Sequence, residues 1–112
     1  MYTINRRFEW DDAKAYSNRL KHGLSFDEAV TAFNDEQAVE REDVKHSTLL
    51  ERRYMLVGEM DPHVPALKHR ILSIVFTHTD DVFRIISARP ASRRERKLYA
   101  KKQTAFEHQG RS

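Results

Sequence analysis

Residues 70–88 read RILSIVFTHTDDVFRIISA. Two runs rich in Ile, Val and Phe, 70–76 and 82–88, flank the polar stretch Thr77-His78-Thr79-Asp80-Asp81. Branched and aromatic side chains pack well on a pleated surface, so both runs read as strands. The link between them is too short for a crossover, so they pair antiparallel. Upstream, Arg53-Tyr54-Met55-Leu56-Val57 reads as a third strand ended by Gly58, and Ala38-Val39 as a weak fourth. Residues 43–51 are polar and residues 59–69 hold Pro62 and Pro65, so both stretches read as loops.

Helices flank these strands. Residues 9–23 have a helical pattern. At about 100° per residue, Ala13, Ser17, Leu20 and Leu24 fall within a narrow arc, with Trp10 and Tyr16 on its flanks. Lys14, Asn18, Lys21 and His22 project from another side, and Gly23 follows as a left-handed stop. Ser25-Phe26-Asp27-Glu28 has capping-box form and opens a second helix to Phe33, with Phe26, Ala29, Val30 and Phe33 inward. Ser92-Arg93-Arg94-Glu95 repeats the motif after Pro90 and opens a basic helix to about Lys102. The expected fold class is α+β: two N-terminal helices, an antiparallel sheet of three to four strands and a C-terminal helix. Residues 1–105 form one domain and 106–112 a disordered tail. A sheet covered on one face leaves the other free for a ligand.

The chain has 112 residues, 39% hydrophobic and 33% charged, which is enough for one modest core and too little for a two-domain cofactor enzyme. It has no Cys, which removes disulfides, thiolate metal sites and a Cys nucleophile. No apolar run has the length of a signal peptide core or a membrane span, so a cytoplasmic protein with no membrane partner is expected. The formal net charge of +3 conceals an asymmetry. Residues 84–112 carry nine Lys or Arg against two Glu, a net +7, leaving −4 on residues 1–83. A basic end favours a polyanion partner, while its plain alternative is a solvated helix face.

The residues narrow the chemistry further. The six His show no helical His-x-x-x-His pair, and there is no nucleophile elbow or Gly-rich phosphate loop, so no metal and no cofactor is expected. Arginine on strands remains. Arg53 and Arg84 sit in apolar runs, where a charge needs a reason. Either each lies on a solvated face beside a carboxylate, or the guanidinium fork grips phosphate. Strict alternation puts Arg84 with Val82, Ile86 and Ala88, and Arg89 on the opposite face. His22 ends a helix whose C-terminal dipole favours the imidazolium and tends to raise its pKa. It is either a proton-transfer group or a cation that satisfies loose carbonyls. Trp10 reads as core before stacking platform. Phe26, Phe33 and Phe83 are open between core and interface.

Two blocks of sequence resemble a known family. Phe8-Glu9-Trp10-Asp11, Lys14, Asn18 and Lys21-His22-Gly23-Leu24-Ser25-Phe26-Asp27-Glu28-Ala29 resemble the opening motif of BrnT toxins. Arg84-Ile85-Ile86-Ser87-Ala88-Arg89, Ala91, Arg94-Glu95-Arg96 and Tyr99 resemble its closing motif. The resemblance implies a RelE-like fold and a type II toxin whose ribonuclease activity stops translation. It implies a BrnA-type ribbon-helix-helix antitoxin partner, with operator DNA reached only through that antitoxin, and an RNA substrate, free mRNA or mRNA on the ribosome. On this reading the chain is a metal-independent endoribonuclease in which the RNA 2′-OH attacks the adjacent phosphate to give a 2′,3′-cyclic phosphate. His22, Arg53 and Arg84 are its expected catalytic residues, and Lys14, Lys21, Arg89 and Tyr99 bind RNA, Tyr99 by stacking a base. The alternative is a non-catalytic, decayed toxin-fold module that binds an antitoxin or nucleic acid.

Overall fold

The computed structural model describes residues 7–65 and 70–109, with side chains as far as Lys102 in the last helix. Strand β1 (Arg7–Trp10) leads into helix α1 (Asp12–His22) and the short helix α2 (Phe26–Ala29), which runs on into a 3-10 turn, Val30–Asn34. Strands β2 (Val39–Glu42), β3 (Arg53–Glu59), β4 (Ile71–Thr79) and β5 (Val82–Pro90) follow, and helix α3 (Arg93–Gln109) ends the chain's described part. The sheet order is β1-β5-β4-β3-β2. Strands β2 to β5 pair antiparallel, whereas β1 joins the β5 edge in parallel.

The α+β class holds, but among the described residues the sheet has five strands instead of three or four. The extra strand is β1, which takes Glu9 and Trp10 from the expected first helix. Two local facts explain the later helix start. Asp11 is a true N-cap, its carboxylate accepting from the Ala13 and Lys14 amides at 2.8 and 3.1 Å. Phe8 and Trp10 alternate inward, Phe8 onto Phe33 and Phe83, and Trp10 onto Phe26. The helix ends as expected at Gly23, whose φ of 70° is left-handed. The Ser25–Glu28 capping box forms with both reciprocal bonds.

The inner face of the sheet carries the core. Phe33, Phe76 and Phe83 meet with ring centroids 5.0–5.7 Å apart, close to edge-on or tilted. Phe26, Phe33 and Phe83 are therefore core residues, at 1%, 5% and 9% exposure. Gly58 does not end β3; it lies within it. A Cβ there would meet the Ala32 carbonyl oxygen at 3.1 Å, so glycine lets the 3-10 turn press against the strand.

Helix α1 is rotated away from the orientation its apolar arc suggested. Leu20 is 71% exposed, while Asn18 is buried. Past Ile85 the β5 edge has lost β1 as a partner. The Asn18 amide replaces it, donating to the Ala88 carbonyl at 2.8 Å and accepting from the Ala88 amide at 3.1 Å. A side-chain amide thus supplies the two bonds a neighbouring strand would, and satisfying a buried backbone pair outweighs burying one leucine.

Helix α3 runs through Gln109, past the expected stop at about Lys102; residues 110–112 of the expected tail lie outside the described residues, as does His69. It covers part of the outer face of the sheet. Val57, Ala91 and Tyr99 form a small second core there, flanked by Met55 and Ile71. The rest of that face is open.

Candidate nucleic-acid interface

Strand register arranges the outer face in three rows. The first is Glu9–Arg84–Thr77–Arg53, across β1, β5, β4 and β3. The second is Ser87–Val75–Met55–Arg41, and the third Arg89–Ser73–Val57–Val39. Helix α3 lies over the third row, and the first is open.

A β-bulge sets this pattern. Ile85 pairs with Phe76 and Ser87 with Val75, so Ile86 has no partner and the alternation reverses beyond it. Ala88 accordingly joins Phe83 and Ile85 in the core instead of sharing a face with Arg84. Arg89, expected opposite Arg84, shares its face. A bulge leaves no mark in the hydrophobic pattern of 82–88, which is why simple alternation fails here.

In the open row the Arg84 Nη1 donates to Glu9 Oε2 at 2.8 Å, with both side chains about half exposed. Arg53 donates from Nε to Glu51 Oε1 at 3.2 Å. Two strand spacings separate Arg53 from Arg84, about 10 Å between backbones. Thr77 lies between them.

The other end of the face is built around Arg89. Its guanidinium makes a two-pronged pair with Glu95, at 2.8 and 2.9 Å, and Ser73 Oγ donates to the same carboxylate at 3.3 Å. Glu95 is also the capping-box residue of α3 and accepts from the Ser92 amide at 2.8 Å. Burial pushes the Glu95 carboxyl up, but the Arg89 and Ser92 hydrogen bonds outweigh it and hold the group at about 2. The capping motif was legible in the sequence. That the same carboxylate also grips β5 was not.

The charge of Arg89 also reaches His22. Its pKa is lowered, first by burial and then by the nearby Lys21 and Arg89 charges, the reverse of the dipole expectation. The imidazole is therefore neutral at pH 7 and able to accept a proton. Lys14 and Lys21 are seven residues, about two helical turns, apart and both exposed. Ala15 and Arg19, on the opposite flank of Asn18, line a cavity with Trp10 and Phe26 on the inner side. Lys14 and Lys21 therefore rim the outer face.

Of the expected catalytic residues, Arg53 and Arg84 share the first row of the outer face. Arg89, whose charge acts on His22, stands in the third. Four residues of β4 separate those rows, about 13 Å. Tyr99, expected to stack a base, is buried instead. It is 6% exposed, with its hydroxyl donated to Asp35 Oδ2 at 2.6 Å, and so has no open ring face for a base. Burial, and then that carboxylate, push its pKa up. Among the described residues no cluster of three His, Cys, Asp or Glu could hold a metal ion, and no helix is long and apolar enough to cross a membrane.

No curated protein matches the chain. A family model described as the ribonuclease toxin BrnT of type II toxin–antitoxin systems matches residues 10–95, from the end of β1 to the Glu95 that grips Arg89. That span includes His22, Arg53, Arg84 and Arg89, and the chain belongs to the BrnT ribonuclease toxin family.

Proposed function

We propose that the outer face binds single-stranded RNA and that the His22 corner cleaves it without a metal. The observation that carries this reading is an imidazole kept neutral by burial and by the charges of Lys21 and Arg89, the latter on the face that also presents Arg53 and Arg84. RNA supplies its own nucleophile. The protein needs an acceptor for the 2′-OH proton, positive charge for the developing dianion and a donor for the departing 5′ oxygen.

His22 takes the 2′-OH proton as the 2′ oxygen bonds to phosphorus. The bond from phosphorus to the 5′ oxygen breaks, leaving a 2′,3′-cyclic phosphate, and the 5′ oxygen takes a proton from the Lys21 ammonium. Arg89, held in orientation by Glu95, stabilises the charge that builds on the phosphoryl oxygens, a role worth roughly 3–4 kcal/mol for one well-placed donor. Arg84 and Arg53, two rows away, hold neighbouring phosphates, and Lys14 extends the track. This assigns the two strand arginines to substrate binding and the charge stabilisation to Arg89.

On this reading the chain has a RelE-like fold, acts on mRNA in the cytoplasm and is neutralised by a BrnA-type antitoxin that covers the arginine face and carries any operator DNA contact. Cleavage of free or ribosome-bound RNA in EDTA tests it. The expected result is a 2′,3′-cyclic phosphate product, lost with His22→Ala. Carboxylate partners on Arg53, Arg84 and Arg89 favour a second reading, a decayed module that only binds. Induced expression that leaves growth and translation unchanged, while antitoxin binding persists, supports that one.

A further inference from the structure

A groove lies between α3 and the β2–β3 side of the sheet, next to the open face. It has a volume of about 530 Å³. Met55 and Leu98, both half-buried, give it an aliphatic floor. Arg41 stands on one wall, and Arg94, Lys97 and Lys101 on the other. The three on α3 follow at spacings of three and four, so they form one stripe along the helix.

The charge balance of this groove differs from that of the open face. All four cations are exposed, and among the described residues none of them pairs with a carboxylate. The one acid in the lining, Glu95, is committed to Arg89 and the Ser92 amide. The groove is therefore positive, with no free countercharge facing it among the described residues.

The floor decides between anionic partners. Single-stranded RNA is gripped by rings on which bases stack, and among the described residues no aromatic side chain lines this groove. An aliphatic floor with a cationic rim matches instead a helix with Leu, Ile or Val along one stripe and Asp or Glu beside it. From Ser92 to Lys101 the wall runs nine helical rises, about 14 Å, which accommodates two to three turns of such a helix.

We propose that this groove is the docking site for an acidic, amphipathic helical segment of the antitoxin. The proposal rests on the antitoxin partnership stated above, and not on the cleavage mechanism. A segment seated here lies beside Arg53 and Met55, so it places the rest of the antitoxin over the open face.

The test is titration of the purified chain with its purified cognate antitoxin, with RNA cleavage measured in parallel. Lys97→Glu/Lys101→Glu is compared with Arg19→Glu/Lys45→Glu, which changes the net charge equally at exposed positions elsewhere. At 0.15 M salt the groove pair weakens antitoxin binding at least tenfold, the control pair changes it less than twofold, and both cleave RNA as the parent does. The milder Lys97→Ala/Lys101→Ala gives the same ranking should the reversal unfold the chain. Equal binding by groove and control variants overturns the proposal. So does a groove pair that loses RNA binding and keeps its antitoxin, because the groove is then an RNA site. A parent chain that binds no antitoxin contradicts the partnership itself.

Discussion

The arginines on the open face of the sheet and the cations of the α3 groove carry the same charge in different states. Arg84, Arg53 and Arg89 each have a carboxylate within 3.2 Å: Glu9, Glu51 and Glu95. Arg41, Arg94, Lys97 and Lys101 have none among the described residues. A paired guanidinium is held in one orientation and gives up part of its field, which suits a surface that must place a phosphate. An unpaired one keeps its field and its freedom, which suits capture of an acidic partner. Pre-orientation and long-range attraction are thus divided between two neighbouring regions.

The largest expected difference between the two regions is at His22. Replacing it by alanine removes the proton acceptor from the paired side, and cleavage falls about 10²–10⁴-fold while antitoxin affinity stays as in the parent. A loss of antitoxin binding instead would show that the two regions are not separate.

The next largest effect concerns Glu95, which joins them. Glu95→Gln leaves Arg89 half-satisfied and weakens the tie of α3 to the sheet, lowering unfolding stability by about 1.5–3 kcal/mol, measurable by denaturant titration. The ordinary value for this carboxyl is 4.5 and in the fold it is about 2. Its contribution is therefore complete above pH 4.5 and is lost as pH falls from 4.5 towards 2. The Gln variant lacks that limb of the stability profile.

A smaller effect sharpens the role of the charges around His22. The rate of cleavage falls on the acid side as the imidazole protonates, and that limb lies below pH 6.5 because the His22 pKa is lowered. Lys21→Ala removes one of the lowering charges, so the limb moves up towards 6.5, apart from any drop in the maximum rate. A limb that stays in place separates Lys21 from His22. The smallest expected effect is at Glu9. Glu9→Gln frees Arg84 of its carboxylate, tightening RNA binding a few-fold at low salt and steepening its salt dependence, as measured by anisotropy.

Much of this arrangement was legible in the sequence, for local reasons. The capping boxes at Ser25 and Ser92, the stop at Gly23 and the β4–β5 pair follow from interactions within a few residues. What escaped depends on partners distant in the chain. Strand β1 forms because β5 offers a free edge, and the helical spacing of residues 9–23 says nothing of that edge. Asn18 is buried because the Ala88 backbone needs two bonds, so a polar residue took the place that an apolar arc suggested. The bulge at Ile86 moved Arg89 onto the face of Arg84, and with it the position of the candidate site. Tyr99 is held inside by Asp35, a partner 64 residues away that nothing near Tyr99 in sequence reveals.

The most direct test of the account is RNA cleavage in EDTA at pH 7 by the parent chain, His22→Ala and Arg84→Ala, with the product ends identified. The expected outcome is a 2′,3′-cyclic phosphate from the parent, almost no product from His22→Ala, and a higher KM with a smaller change in kcat for Arg84→Ala. Cleavage by His22→Ala at the rate of the parent would contradict it.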